Sequence, residues 1–239
     1  MKRKILITAL LCAASLHTAK SQTLQVIYET QPKMQINADM LDKNLIEQIA
    51  KNSKTKSLLC YNNGESILKP IKKENENASS GINIKINSPE DVTYKNHNTN
   101  KEISYKDFFG KGFLIESELK KEKYELTDST KNIQGYTCTK AILKNGEKET
   151  AVWFCPNLPV KDGPVYTGLD GLVLEMVSDN LTVVATEILI DATEDCQIIA
   201  PAKGKKISRD EFDKMVEKRM KALEQSDNSD GGMVIKITK

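Results

Sequence analysis

The chain has 239 residues, with 35 Lys and Arg against 33 Asp and Glu, a formal net charge of +2, and 5 cysteines. Four of the bases, Lys2, Arg3, Lys4 and Lys20, lie within positions 1–21, and without them 31 bases face 33 acids, a net charge of −2. A near-neutral surface of interspersed signs excludes the concentrated basic face that nucleic-acid binding needs, and the length suits one β-rich domain.

The first residues have the layout of a secretory signal: a basic start followed by an apolar run at 5–16. That run is shorter than the about 20 apolar residues of a membrane helix, so removal is expected rather than retention as an anchor. Ala19 and Ser21 flank Lys20, which places cleavage after position 21 and leaves Gln22 as the new terminus. Cys12 follows Leu10 and Leu11 and so lacks the small residues that precede a lipid-modified cysteine. The expected location is the periplasm or the cell exterior, association with the outer membrane included. No later segment approaches membrane-spanning length.

In the remaining chain, 24–30 alternates Leu24, Val26 and Tyr28 on one side, the pattern of a half-buried strand that Pro32 ends. Over 39–51, Leu41, Leu45 and Ile49 recur at helical spacing behind a candidate cap, Asp39. The runs 56–61 and 65–69 flank Asn62, Asn63 and Gly64, a hairpin signal. The stretch 71–89 is polar and reads as a solvated loop.

Strands are expected at 92–94, 103–109 and 113–119, with Gly110 and Gly112 marking the turn between the last two. The strongest hairpin signal joins 136–143 to 149–154 across Lys144, Asn145 and Gly146. Another pair, 173–177 and 181–190, turns at Ser178, Asp179 and Asn180. The carboxyl end changes period. Ser208 and Glu211 have capping-box spacing ahead of Phe212, Met215, Val216, Arg219 and Leu223, so a capped helix is expected. After it, 226–239 is a polar tail in which 233–237 could add an edge strand.

Three central segments share an order with a known family. They are Asn132 to Ala141, containing Gly135-Tyr136-Thr137-Cys138-Thr139-Lys140-Ala141; Val152-Trp153-Phe154-Cys155-Pro156-Asn157-Leu158-Pro159; and Gly163-Pro164 followed by Gly168-Leu169-Asp170-Gly171-Leu172-Val173-Leu174-Glu175. In this order the chain resembles the GLPGLI family, exported proteins of Bacteroidota bacteria. It departs from the family's naming motif at Asp170 (for Pro) and Val173 (for Ile), and has Phe154-Cys155 for the usual Tyr-Thr. The resemblance implies an exported protein built on a curved antiparallel sheet, with no established activity. A distant similarity to the bowl-shaped accessory domain of some bacterial peptide N-glycosidases fits that shape. Asp128-Ser129-Thr130 also fits the short pattern on which many exported proteins of those bacteria carry O-linked glycans, making Ser129 a surface-modification candidate.

Four cysteines remain after cleavage, Cys60, Cys138, Cys155 and Cys196, and export permits bridges in any of three pairings. Cys138 and Cys155 lie on opposite arms of the central hairpin, diagonal with a two-residue turn at Asn145-Gly146 and directly opposite with a four-residue loop, so they can bridge in either register. Cys60 with Cys196 would then be the second pair, and for both pairs buried free thiols are the alternative. With no Cys-x-x-Cys and only His97 left, neither a zinc site of the Cys/His type nor a cofactor is expected.

Gly168 and Gly171 around Asp170 allow a sharp turn whose leucines, Leu169 and Leu172, can plug a core. The functional alternative makes this loop, with Trp153, Pro159, Gly163 and Pro164, the rim of a binding site. No phosphate cradle is implied. His97 lies in a polar run and reads as a solvated surface side chain rather than the base of a triad. Asp170, Glu175 and Asp191 could converge as paired carboxylates of the glycosidase kind, and Trp153 reads as an inner-face aromatic ahead of a sugar-stacking platform.

The sequence therefore predicts a signal peptide (1–21), a single α+β domain (22–225), mainly antiparallel, as one strongly curved sheet or open half-barrel, and a polar tail (226–239). A non-enzymatic module that binds an apolar ligand such as a lipid, or an envelope protein, is the leading function. An envelope hydrolase with convergent acids is the alternative.

Overall fold

A computed structural model of the chain describes residues 23–33, 51–72, 90–145, 148–158, 160–165, 168–192 and 196–226. The expected signal peptide, nearly all of the helix at 39–51, most of the loop at 71–89 and the strand at 233–237 lie outside them.

The architecture is α+β and mainly antiparallel: one twelve-stranded sheet, not closed into a barrel. β1 (Thr23–Pro32) sits in its interior. On one side run β2 (Thr55–Asn62), β3 (Glu65–Ile71), β4 (Val92–Asn96), β5 (Lys101–Phe108) and β6 (Lys111–Glu118) as an antiparallel meander, closed by β12 (Lys205–Ile207) pairing parallel with β6. On the other side β11 (Leu181–Ile190), β10 (Leu172–Val177), β9 (Lys148–Cys155), β8 (Tyr136–Asn145) and β7 (Tyr124–Ile133) follow in reverse chain order. α1 (Arg209–Ser226) completes the described chain.

Local chemistry explains most of these elements. Leu24, Val26 and Tyr28 alternate into the core from β1. Asn63 (φ 49°) and Gly64 (φ 82°) both take positive φ, the requirement of a two-residue type I′ hairpin turn between β2 and β3. Phe109 and Gly110 repeat that geometry between β5 and β6. Gly112 is therefore inside β6 rather than in the turn, and its missing Cβ leaves room for the Tyr105 ring. The capping box at the start of α1 is formed: the Glu211 N–H donates to Ser208 Oγ at 3.2 Å and the Ser208 N–H to Glu211 Oε2 at 3.1 Å. Phe212 then packs with Phe113 and Ile115 of β6 in a satellite core.

One contact establishes the curvature. Five ladder steps separate β4 from β10, about 24 Å in a flat sheet at ~4.8 Å per step. Yet Lys95 on β4 reaches Asp162, whose carbonyl accepts the N–H of Val173 on β10 at 2.8 Å. The sheet must curl to bring its halves together, and the segment after β9 crosses the gap. The main core lies in this curl, with Tyr28, Leu172 and Leu174 at 0 % exposure. Among the described residues no helix is long and apolar enough to cross a membrane.

Candidate functional site

The most unusual chemistry in the described residues is a buried charge cluster where the two halves of the sheet meet. Lys95 Nζ lies 2.5 Å from Asp162 Oδ1 and donates to the Gly163 carbonyl at 2.9 Å, and the two charged side chains are 1 % and 0 % exposed. His97 Nε2 stands 3.1 Å from the other carboxylate oxygen, and the Gly163 N–H donates to Oδ1 at 2.7 Å. His97 is positioned by the β4–β5 connection, where its own N–H bonds the Gly64 carbonyl of the neighbouring turn at 2.8 Å.

Charges this deep persist only when paired. Burial alone would push the Asp162 carboxyl up, but the attraction of Lys95 and the contacts with His97 outweigh it and hold the group well below the usual carboxylate range. Its negative charge reaches two phenols: Tyr28 and Tyr61 are both pushed up, first by burial and further by Asp162. The Tyr28 hydroxyl donates to the Val173 carbonyl at 2.6 Å, and the Tyr61 ring stands tilted beside His97, 6.0 Å between centroids.

Ser66 pairs with Lys95 across the β3–β4 ladder and with Tyr61 across β2–β3, so it shares their face. It is fully buried, and its hydroxyl has no hydrogen-bond partner among the described residues. A serine nucleophile needs a neighbouring base. The amine beside Ser66 is instead an ammonium held by a carboxylate, so the group is closed and self-neutralising. It joins β4 to the segment after β9 in the manner of a polar staple.

The loop-rim residues divide into two kinds. Gly163, Leu169, Gly171 and Leu172 are buried, and Pro164 and Gly168 are half-buried. Gly163 packs on Val173, where a Cβ would meet the Val173 side chain at 2.6 Å, and Gly168 takes φ +77°. Asp170 points outward, 79 % exposed, paired with Lys161 at 2.6 Å. Pro159 lies outside the described residues. Trp153 is half-buried on β9 and packs against the main core, with the Lys131 ammonium 4.2 Å from its ring centroid and Lys140 at 6.0 Å; Lys131 also pairs with Glu175.

Three expectations change. His97 is no solvated surface group: its side chain is 17 % exposed and bound to Asp162, because the curl of the sheet lays Asp162 over the turn that carries it. Asp170, Glu175 and Asp191 do not gather, since Asp191 follows the end of β11, about 23 Å of extended strand from Val184, the ladder partner of Glu175. Of the cysteines, Cys60 and Cys196 form a disulfide, whereas Cys138 and Cys155 are unbonded buried thiols. Cys138 and Cys155 are not bridged, although the register sets the two residues opposite each other. Burial and the neighbouring Cys155 push the Cys138 thiol up to about 11, leaving little of the thiolate that would attack a disulfide.

Asp162 itself was not legible as a site residue. Its one sequence signal is an acid set immediately before Gly163-Pro164, and its partners lie 65 and 67 positions away.

The profile of the family described as "N-glycanase peptide, N-terminal domain" matches residues 62–214, well over half of the chain. The chain belongs to this family. No curated protein matches it. Two solved structures of PNGF-II, in space groups P21 and C2, share its fold at 21 % identity, with TM-scores of 0.55 and 0.54 over 82 % of this chain. The match takes in 34 % and 33 % of those chains, so this protein spans about a third of their length. As a member of the N-glycanase N-terminal domain family, it carries the staple, the Cys60–Cys196 bridge and the motif loop within or next to the matched region. A disulfide is in keeping with an exported chain, since such bonds persist in oxidising compartments.

Proposed function

We propose that this protein is a non-catalytic interaction module of the cell envelope, that its partner is another envelope protein, and that it belongs with the GLPGLI proteins its central motifs resemble. The observation that carries this reading is the closed state of its buried charges. Lys95 and His97, the histidine of the described residues, both bind the one Asp162 carboxylate, so these charges satisfy one another and hold the two halves of the sheet together. Asp170 and Glu175 are likewise each engaged by a lysine.

Two further facts favour a protein over a lipid. The groove between β6, β12 and the start of α1, lined by Leu114, Glu116, Lys206, Ile207, Ser208 and Glu211, has a volume of about 280 Å³ and a mixed polar and apolar lining. That is just under the ~300–1,000 Å³ of ordinary small-molecule sites. The interior of the curl is filled by Tyr28, Leu172 and Leu174. The motif loop offers exposed groups instead, Val165 at 51 % exposure and the surface Lys161–Asp170 pair.

A photo-crosslinking side chain at Val165 in intact producing cells tests this, with Glu149 at the far end of β9 as the control position. A discrete protein adduct from Val165 and none from Glu149 is expected. Adducts to lipid alone, or equal labelling from both positions, overturn the partner assignment. Release of glycan from a glycopeptide by the purified chain overturns the non-catalytic one.

A further inference from the structure

We infer that Cys138 and Cys155 are a built-in dithiol that closes to a second disulfide by exchange with an external disulfide, clamping the root of the motif loop. The ladder between β8 and β9 pairs Lys140 with Trp153 and Thr139 with Phe154, so the next step sets Cys138 directly opposite Cys155. Opposite residues in an antiparallel pair have Cα atoms about 4.5–5.5 Å apart, inside the ~4.4–6.8 Å that a disulfide spans. Both thiols are 0 % exposed and unbonded. Proximity and protection are thus already in place, and what is missing is access for an oxidant.

The position gives the bond a consequence. Cys155 ends β9 where the chain turns into the 156–171 segment, and its carbonyl accepts the Leu158 N–H at 3.3 Å. Gly171, at the other end of that segment, packs against the same carbonyl. A bridge from Cys155 to β8 therefore adds a covalent tie at the residue whose carbonyl both ends of the segment pack against. Access comes from one side. β7 is the edge strand, paired only with β8, and its register breaks between Leu126 and Thr130, so opening of this edge exposes Cys138 without disturbing the centre of the sheet.

The exchange balances without another reactant. The thiolate of one cysteine attacks a sulfur of the external disulfide and expels one thiol. The second cysteine then attacks the mixed disulfide and expels the other, so two protein thiols are oxidised while one external disulfide becomes two thiols. The burial that raises the Cys138 thiol makes the step slow in the fully closed fold.

The test uses the full exported chain, equilibrated with oxidised glutathione in buffer and again in urea below its unfolding transition, then alkylated and digested with trypsin without reduction. Residues 132–140 and 149–161 fall in separate tryptic peptides. The expected result is these two peptides joined, loss of both alkylatable thiols, and faster closure in urea, with Cys60–Cys196 intact as evidence of the folded state. A Cys155→Ala chain should instead gain one glutathione on Cys138. Both peptides alkylated in the native chain under both conditions, or each carrying its own glutathione, overturns the proposal.

Discussion

Gly171 lies so close to Cys155 that a Cβ on it would stand 2.3 Å from the Cys155 carbonyl oxygen and 2.7 Å from its carbonyl carbon. These are backbone atoms of a ladder strand and cannot swing aside. Gly168, three residues earlier, differs in kind: it takes φ +77°, and an added Cβ would meet Lys121 Cγ at 2.8 Å and Cβ at 3.1 Å, side-chain rather than backbone atoms. Gly171→Ala should cost ~2–3 kcal/mol by forced overpacking, and Gly168→Ala about 1 kcal/mol by backbone strain. Urea midpoints of the two variants check the order, and a Gly168→Ala cost equal to or above that of Gly171→Ala would contradict it.

Asp162→Asn leaves the Lys95 ammonium buried without its counter-charge. Breaking one side of a buried pair typically costs ~3–5 kcal/mol, whereas removing both charges is often close to neutral. Lys95→Met with Asp162→Asn should therefore be more stable than Asp162→Asn alone, with a coupling of about 1–3 kcal/mol between the two sites. Equilibrium denaturation of Asp162→Asn, Lys95→Met and the double variant beside the native chain gives the cycle. Strict additivity would mean that the two charges do not support one another.

The same carboxylate predicts an acid response. In the unfolded chain Asp162 should titrate near 3.9, and in the fold it titrates lower, so its contribution is complete above the unfolded value. As pH falls below about 4 the unfolded state takes up the proton first, and the contribution shrinks progressively towards the depressed folded value. The surface carboxyls of Glu116, Glu125 and Asp170 are also lowered by lysine partners, but exposed pairs of that kind contribute little. Thermal midpoints from pH 7 to pH 3 should thus fall more steeply for the native chain than for Asp162→Asn. Parallel curves would show that Asp162 carries none of the acid sensitivity.

Much of the sheet was legible because its strands are bounded by local signals: Asn63-Gly64 turns one hairpin, and the alternation of Leu24, Val26 and Tyr28 gives a face. Ser208 and Glu211 likewise announce α1 before any packing is considered. β7 was missed because an edge strand needs little apolar surface; all but three of its residues are exposed, and Ser129 lies where its register breaks. β12 was missed because a three-residue parallel strand has no period to read. The charged staple was invisible for a different reason. Lys95 and His97 sit among Asn96, Asn98 and Asn100, a composition that reads as solvated, and only the long-range curl of the sheet lays Asp162 over them.

The Cys60–Cys196 bridge should act locally as well as globally. It closes a separation of 136 residues, for which the chain-entropy model gives about 5 kcal/mol, with measured losses in the range of ~2–5 kcal/mol. Cys60 is buried on β2, near the centre of the sheet, while Cys196 begins the stretch that leads through β12 to α1. That stretch has few other anchors: β12 is three residues long, and α1 meets the sheet through Phe212 and its neighbours. Replacing both cysteines with alanine should therefore speed amide exchange in β12 and α1 first, and leave β8 and β9 close to their native protection. Equal acceleration in all four elements would mean that the bridge acts only by restricting the unfolded chain, with no role in holding the carboxyl-terminal segment on the sheet.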